Sequence, residues 1–179
     1  MSSIRPAPNR RTFLSDMTGE IVVPIGNLIG SPGKERPFSG RQSVSLRLGE
    51  TTIDGPMSIV GTVHGLTDAV MAEFRASATA HMICTKCLTE WDEEISIAAE
   101  QYFGVIPDED GFGISEGEID LSLPARAEMA LALPAAPVCR NDCLGLCPTC
   151  GTDLNSDPCD GHGDDTDSPF AVLKDLFDS

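Results

Sequence analysis

Three observations predict an α+β fold, mainly an antiparallel β core with one or two short helices and a C-terminal zinc-binding segment. Apolar residues alternate with a period of two from residue 42 onward, two Ser/Pro segments carry helix-start chemistry, and seven cysteines fall in short paired spacings. At 179 residues the chain suits one domain with tails. A chain of this size buries roughly 70% of its unfolded surface, enough for a core without staples.

Residues 1–19 mix Arg, Pro, Ser and Asn without periodicity and read as a flexible basic tail. Residues 20–137 read as a β-rich core. Within it, Ile21 to Ile25 is a short strand candidate interrupted by Pro24, and residues 30–41, rich in Gly and Pro, read as a loop. Val44, Leu46 and Leu48 then alternate with Ser43, Ser45 and Arg47, and Met57, Ile59 and Val63 alternate with Ser58 and Thr62. From 72 to 82, Ala72, Phe74, Ala76, Ala78, Ala80 and Met82 share one face, with Glu73, Arg75, Ser77, Thr79 and His81 on the other. Trp91, Ile95, Ile97 and Phe103 share one parity beyond Cys87. This is strand periodicity with one buried face. It places Cys84 and Cys87 at the turn of a hairpin whose register an ion would fix. His64 and His81 lie on strands as lone histidines and read as surface or packing residues.

Residues 104–119 read as a solvated acidic loop, its carboxylates flanking glycines with no nucleophile or base nearby. Ser122 is the expected cap and Pro124 the first turn of a helix reaching Leu133, ended by Pro134 and Pro137. Leu123, Ala127, Ala130 and Leu131 are its expected core stripe. Residues 138–162 form the cysteine-rich zinc-binding segment. Residues 163–179 read as an acidic linker and a short helix, Ser168 to Phe177, with Phe170, Leu173 and Phe177 on one face. Residues 152–167 hold six aspartates and no Lys or Arg, but lack the D-x-D-x-D-G loop with a closing Glu that calcium requires.

The cysteines carry the chemistry. Cys84 and Cys87 form a C-x2-C, Cys139 and Cys143 a C-x3-C, and Cys147 and Cys150 a second C-x2-C; Cys159 is followed three positions later by His162. Seven is odd, so a full disulfide framework leaves one thiol over, and in a reducing compartment paired spacings read as metal ligands. Seven thiolates and one imidazole make two closed tetrahedral zinc sites. Two intervening residues let a tight turn aim both sulfurs at one ion about 2.3 Å away, and Gly151 can take the positive φ that such a turn needs. Buried free cysteines and a redox C-x2-C are the other readings; a redox motif opens a helix in a βαβ setting, whereas Cys84 follows a strand. The favoured partition is Cys84, Cys87, Cys139 and Cys143 on one ion, with Cys147, Cys150, Cys159 and His162 on the other. The rival places both C-x2-C turns on one ion, as in a zinc ribbon.

Charge limits the partners. The chain has 28 acidic and 12 basic residues, a formal net charge of -16. Residues 1–50 hold 7 basic and 4 acidic side chains, whereas residues 51–179 hold 5 and 24. Sequence-independent nucleic-acid binding needs clustered Lys and Arg, so most of this surface is excluded from it. Direct RNA contact, if made, falls to the N-terminal third, through Arg36, Arg41 and Arg47 and the arginines of the tail. The remainder suits a basic partner or solvent. The uncharged run from Ile21 to Gly33 spans 13 residues and is broken by Pro24 and glycines. A spanning helix needs roughly 18–20 apolar residues, so no membrane is expected. No h-region follows Arg5, Arg10 and Arg11, and the expected location is cytoplasmic.

A Cys-Leu pair after an alternating strand is followed by Glu118-Ile119-Asp120-Leu121 and a Leu-Ala-Leu-Pro helix end. Next come Pro137-Val138-Cys139, the run from Cys143-Leu144-Gly145 to Cys150-Gly151, Leu154-Asn155 and Pro169-Phe170-Ala171-Val172-Leu173. Over about residues 40–177 this combination resembles the YceD family. The resemblance implies a role in accumulation of large-subunit ribosomal RNA, as in bacteria and plastids. Family members often have Cys-x-Cys near Cys159; here Asp160-Gly161-His162 follows, so His162 rests on position and chemistry. Some relatives keep the first C-x2-C with histidines near positions 139 and 143 and lack the later cysteines, which supports the favoured partition.

The expected function is a non-catalytic, zinc-stabilised factor in ribosome biogenesis that binds ribosomal proteins or the pre-ribosomal large subunit. A redox- or zinc-responsive regulator is one alternative. A zinc-dependent hydrolase or deaminase is another, but eight ligands for two ions leave no open position. The deaminase halves H-x-E and P-C-x-x-C are also absent, since Pro148 lies inside its pair.

Overall fold

The computed structural model describes residues 20–106 and 112–162. The readings for residues 1–19, for residues 163–179 with Phe170, Leu173 and Phe177, and for Asp108 to Asp110 lie outside the described residues.

The alternating segments become a four-stranded antiparallel meander. Its strands are β2 (Glu35–Leu48), β3 (Thr51–Gly65), β4 (Ala69–Ile83) and β5 (Glu90–Gly104), in that order across the sheet. A two-stranded antiparallel sheet joins β1 (Val22–Pro24) to β6 (Glu118–Asp120), and one helix, α1 (Ser122–Ala132), follows. Among the described residues the structure is thus mainly antiparallel sheet with one short helix, and no helix is long and apolar enough to cross a membrane.

One face of the meander is buried, as the parity predicts. Ile53, Met57, Ile59 and Val63 of β3, Val70, Ala72, Phe74, Ala76, Ala78, Ala80 and Met82 of β4, and Phe103 of β5 point into the core. The alanines of β4 leave room for other side chains to approach the sheet centre. Leu121, Ala125, Met129 and Leu133 from α1 and its ends are buried, and so are Ile21, Val23, Ile25 and Ile119 from the small sheet. At Gly61 the room is needed by the backbone. Gly61 pairs with Phe74, and a Cβ there would land on the Glu73 carbonyl and press the Phe74 Cα to 2.8 Å.

Three expectations are corrected. Residues 35–41 are strand, not loop, because Pro37 and Gly40 lie on an edge strand, where a missing N–H need not break a ladder. The supposed acidic loop contains β6. The helix buries Leu121, Ala125, Met129 and Leu133, spaced by four, while Leu123 and Leu131 are 59% and 81% exposed. Its start also differs: Asp120 Oδ1 accepts the Ser122 N–H at 2.8 Å, while the Ser122 hydroxyl accepts the Ile21 N–H at 2.6 Å. Ser122 thus ties α1 to the chain entering β1 instead of capping the helix.

The end of the meander that carries the β2–β3 and β4–β5 turns receives the chain leaving α1. Gly49, at φ +56°, faces the Ala135 carbonyl, the buried Thr51 hydroxyl donates to the Pro134 carbonyl at 2.7 Å, and the Thr85 N–H donates to Pro137 at 3.0 Å. These bonds deliver residues 138–143 to the β4–β5 turn. The edge strand β5 carries Glu90, Asp92, Glu93, Glu94 and Glu100 and no Lys or Arg.

Gly61→Ala tests the inner packing. It is expected to destabilise the protein by about 2 kcal/mol, since overpacking of this kind costs about 1–3 kcal/mol. Urea denaturation of the two proteins measures the difference, and an unchanged midpoint contradicts the close approach.

Candidate metal centres

The first centre forms at the β4–β5 turn. Residues 84–89 leave β4 at Ile83 and return to β5 at Glu90, and Cys84 and Cys87 are buried at the turn. Residues 137–143 run alongside, held by two bonds from Thr85 to the Pro137 carbonyl, at 3.0 Å from its N–H and 3.2 Å from its hydroxyl. Cys84 Sγ lies 3.9 Å from Cys143 Sγ, and Cys87 Sγ 3.6 Å from Cys139 Sγ. All four sulfurs lie within 4.8 Å of one another. These separations are far beyond a disulfide bond of about 2.05 Å. They match the edge of about 3.8 Å that a tetrahedron of sulfurs has around an ion with 2.3 Å bonds. Trp91 packs against this cluster.

The second centre is local. Cys147, Cys150, Cys159 and His162 also bring their ligand atoms within 4.8 Å of one another. Cys150 Sγ is 3.8 Å from Cys159 Sγ, which is 3.1 Å from His162 Nε2. Cys147 is buried, Cys159 is half-buried, and Cys150 and His162 are exposed. The structure therefore gathers the eight side chains in the partition that the spacing favours. It does not bring the two C-x2-C turns onto one centre.

The two C-x2-C turns share one hydrogen-bond pattern. In the first, the Cys84 N–H donates to the Thr89 carbonyl (2.9 Å) and the Leu88 N–H returns to the Cys84 carbonyl (3.0 Å). In the second, Cys147 donates to Thr152 (2.8 Å) and Gly151 returns to Cys147 (2.9 Å). Thr89 Oγ1 is 3.3 Å from Cys87 Sγ, and Thr152 Oγ1 is 3.1 Å from Cys150 Sγ. Both segments read Cys-x-x-Cys-x-Thr, a short internal repeat that marks the threonines in the sequence. The residue after the second cysteine is left-handed in each: Leu88 at φ +61° and Gly151 at φ +74°.

The thiols resist sharing charge without a cation. Burial raises Cys84, but backbone N–H groups of Cys139, Cys87 and Lys86 outweigh it and hold this thiol at about 6. Cys139 is pushed up to about 12, by burial first and then by Cys87, Cys143 and Cys84. In the second centre the Thr152 hydroxyl and backbone, with His162 and Cys147, hold Cys150 at about 6. His162 is raised by Cys150 and then Cys147. Each cluster favours some thiolates and penalises the last one, a conflict that a bound cation removes. The donor sets fit a four-coordinate ion that accepts sulfur and imidazole.

The family described as large ribosomal RNA subunit accumulation protein YceD matches residues 72–177. The chain belongs to the YceD family. The matched span contains all eight candidate ligands of this YceD-family chain. An uncharacterized protein of Mycobacterium leprae (strain TN) is 32% identical over 131 residues, covering 68% of this chain and 59% of the relative. Uncharacterized proteins of Mycobacterium bovis and Mycobacterium tuberculosis (strain CDC 1551 / Oshkosh) are each 33% identical over 124 residues, covering 64% of this chain and 59% of the relative. The chain thus spans 59% of the length of these relatives. No solved structure matches it.

The three arginines considered for RNA do not form one patch. Arg41 and Arg47 are exposed on the face of β2 that also carries Ser43 and Ser45. Arg36 has the opposite parity and donates to the Pro24 carbonyl at 2.8 Å, pinning β1. His81 faces Asp92 at 2.9 Å and His64 lies 3.3 Å from Glu35, and neither belongs to a candidate metal cluster.

The repeated turn makes a paired prediction. Left-handed backbone costs a residue with a side chain roughly 1–2 kcal/mol. Gly151→Ala is therefore expected to weaken the second centre by about 1 kcal/mol, or roughly fivefold in metal affinity, whereas Leu88→Gly leaves the first centre unchanged or tighter. Competitive chelator titration of both variants measures this. Equal weakening contradicts the common geometry.

Proposed function

We propose that this chain is a non-catalytic, zinc-stabilised factor supporting accumulation of large-subunit ribosomal RNA, and that it works by binding ribosomal proteins or the pre-ribosomal large subunit. The observation that carries the reading is the YceD match across the span holding every candidate ligand. The chemistry supports it. Catalytic zinc keeps an open position for water, whereas eight donors around two ions close both tetrahedra. Zinc suits them because it takes thiolate and imidazole in tetrahedral sets. A zinc-dependent hydrolase has no vacant position here.

Charge supports a basic partner. With seven thiolates and two divalent ions the formal charge moves from -16 to about -19. Electrostatic complementarity of this kind speeds encounter with basic proteins and disfavours bare phosphate backbone. Arg41 and Arg47 remain available for direct RNA contact.

The second centre supports a further reading, a redox- or zinc-responsive protein, because Cys150 is exposed and Cys159 half-buried. Exposed thiolates are the ones that oxidants reach first.

Metal analysis of protein purified without added zinc is expected to find two zinc ions per chain, falling to one in the Cys147→Ser/Cys150→Ser variant. Loss of both ions in that variant contradicts the partition. Cys84→Ser is expected to lower the melting temperature more than Cys159→Ser, since the first centre joins the hairpin to a distant segment. For the biological role, deleting the gene in its host is expected to lower large-subunit rRNA relative to small-subunit rRNA. The wild-type chain should restore the ratio and Cys84→Ser/Cys87→Ser should not. An unchanged ratio in the deletion strain overturns the role.

A further inference from the structure

Asn155 lies between two ligands of the second centre, Cys150 and Cys159, but its side chain is committed to the first. Its Nδ2 is 3.6 Å from Cys143 Sγ. Its Oδ1 accepts the Leu144 N–H at 2.9 Å and the Arg140 guanidinium at 2.7 Å. One amide group thus grips the segment that carries Cys139 and Cys143. Asp153 holds Asn155 in place, since its Oδ1 accepts the Asn155 N–H at 3.0 Å and Nδ2 at 2.6 Å. The Leu154 N–H donates to the Gly145 carbonyl at 3.0 Å, laying this loop along residues 145–146. Gly145, at φ +80°, would bring a Cβ to 3.1 Å from the Lys86 carbonyl, which also accepts the Leu146 N–H at 2.9 Å. A continuous chain of contacts therefore runs from the second centre's loop, through Asn155, to the hairpin turn of the first.

We propose that Asn155 is a positioning residue through which metal occupancy of the second centre slows metal loss from the first. The inference rests on the metal-centre reading above. Residues 151–162 bury no apolar side chain of their own, so an ion held by Cys147, Cys150, Cys159 and His162 is what closes their loop. When that ion leaves, the loop is free to lift. The N–H···S contact to Cys143 and the cover over Leu144 go with it. A tetrathiolate centre around a divalent ion carries two excess negative charges, and N–H donors to its sulfurs spread that charge. Partners of this kind commonly change metal affinity about 10- to 100-fold when removed.

The test uses the full chain loaded with two equivalents of Co2+ and challenged with excess Zn2+, which keeps the second centre filled while cobalt leaves the first. Trp91 is the single tryptophan and packs on the first cluster, so recovery of its quenched fluorescence reports metal loss there. Cobalt absorption reports total release. The wild type is expected to lose one ion quickly and the Trp91-reported ion slowly. Cys159→Ser is expected to abolish the fast phase and speed the slow one roughly tenfold. Asn155→Ala should speed the slow phase to a similar extent while keeping the fast one, and should shift the sulfur-to-cobalt charge-transfer band of the first centre. Asn155→Asp keeps an acceptor for Leu144 and Arg140 but loses the N–H donor, and is expected to speed the slow phase as well. The Asn155→Ala/Cys159→Ser double variant should be no faster than the faster single one, because both act through one contact. A slow phase unchanged in Asn155→Ala and Asn155→Asp, or additive effects in the double variant, overturns the coupling. A wild-type chain that binds fewer than two ions overturns the metal-centre reading and the coupling with it.

Discussion

The end of this fold depends on four sulfurs held at separations that thiolates alone do not favour. The β4–β5 hairpin supplies two of them and the chain leaving α1 supplies the others. With Cys139 pushed up to about 12 and Cys84 held at about 6, the cluster is electrostatically unfinished without a cation. An ion there would link residues more than 50 positions apart and fix the hairpin's register, the path of the chain past Thr51 and Thr85, and the platform for the second centre. The two centres are unequal in kind. One is built into the core's edge, whereas the other is a loop that closes on itself.

Much of the fold was legible because strand parity is a local property. Each inward residue named on β4 is buried, and Phe103 and Met57 follow the same rule. The start of β2 was hidden because Pro37 and Gly40 signal loops, and only its position at a sheet edge makes them acceptable. The helix misled for another reason. Leu123 and Leu131 look like core by composition, but Leu121, Ala125 and Met129 face the sheet, because bonds from Ser122 and Leu121 to Ile21 set the rotation of α1. Which face of a short helix is buried is decided by its anchors, and those lie a hundred residues away.

The two clusters of candidate ligands were legible because coordination imposes spacing on the sequence. The residues that support them were less so. Thr89 and Thr152 leave a trace, the repeated Cys-x-x-Cys-x-Thr, which appears when the two turns are aligned. Asn155 stands in the sequence only as half of the Leu154-Asn155 pair that the family resemblance uses, and its contact with Cys143 obeys no spacing rule. Its role arises only when the second loop folds against the first. The arginines show the same limit. Three basic residues within one stretch suggest a patch, but strand parity sends Arg36 to one face and Arg41 and Arg47 to the other.

The acidic residues of β5 have a consequence apart from any partner. Among the described residues β2 and β5 are the edges of the sheet, and apart from the bridge at Gly104 no strand pairs with their outer sides, which leaves rows of open backbone groups. Such rows invite a second chain to add a strand, the first step toward aggregation. Glu90, Asp92, Glu93, Glu94 and Glu100 would meet the same row of negative charges on a second copy if two β5 edges met, while Pro37 removes an N–H from β2. The negative charge that first reads as a preference among partners is also, along this strand, a repulsion that opposes edge-to-edge pairing.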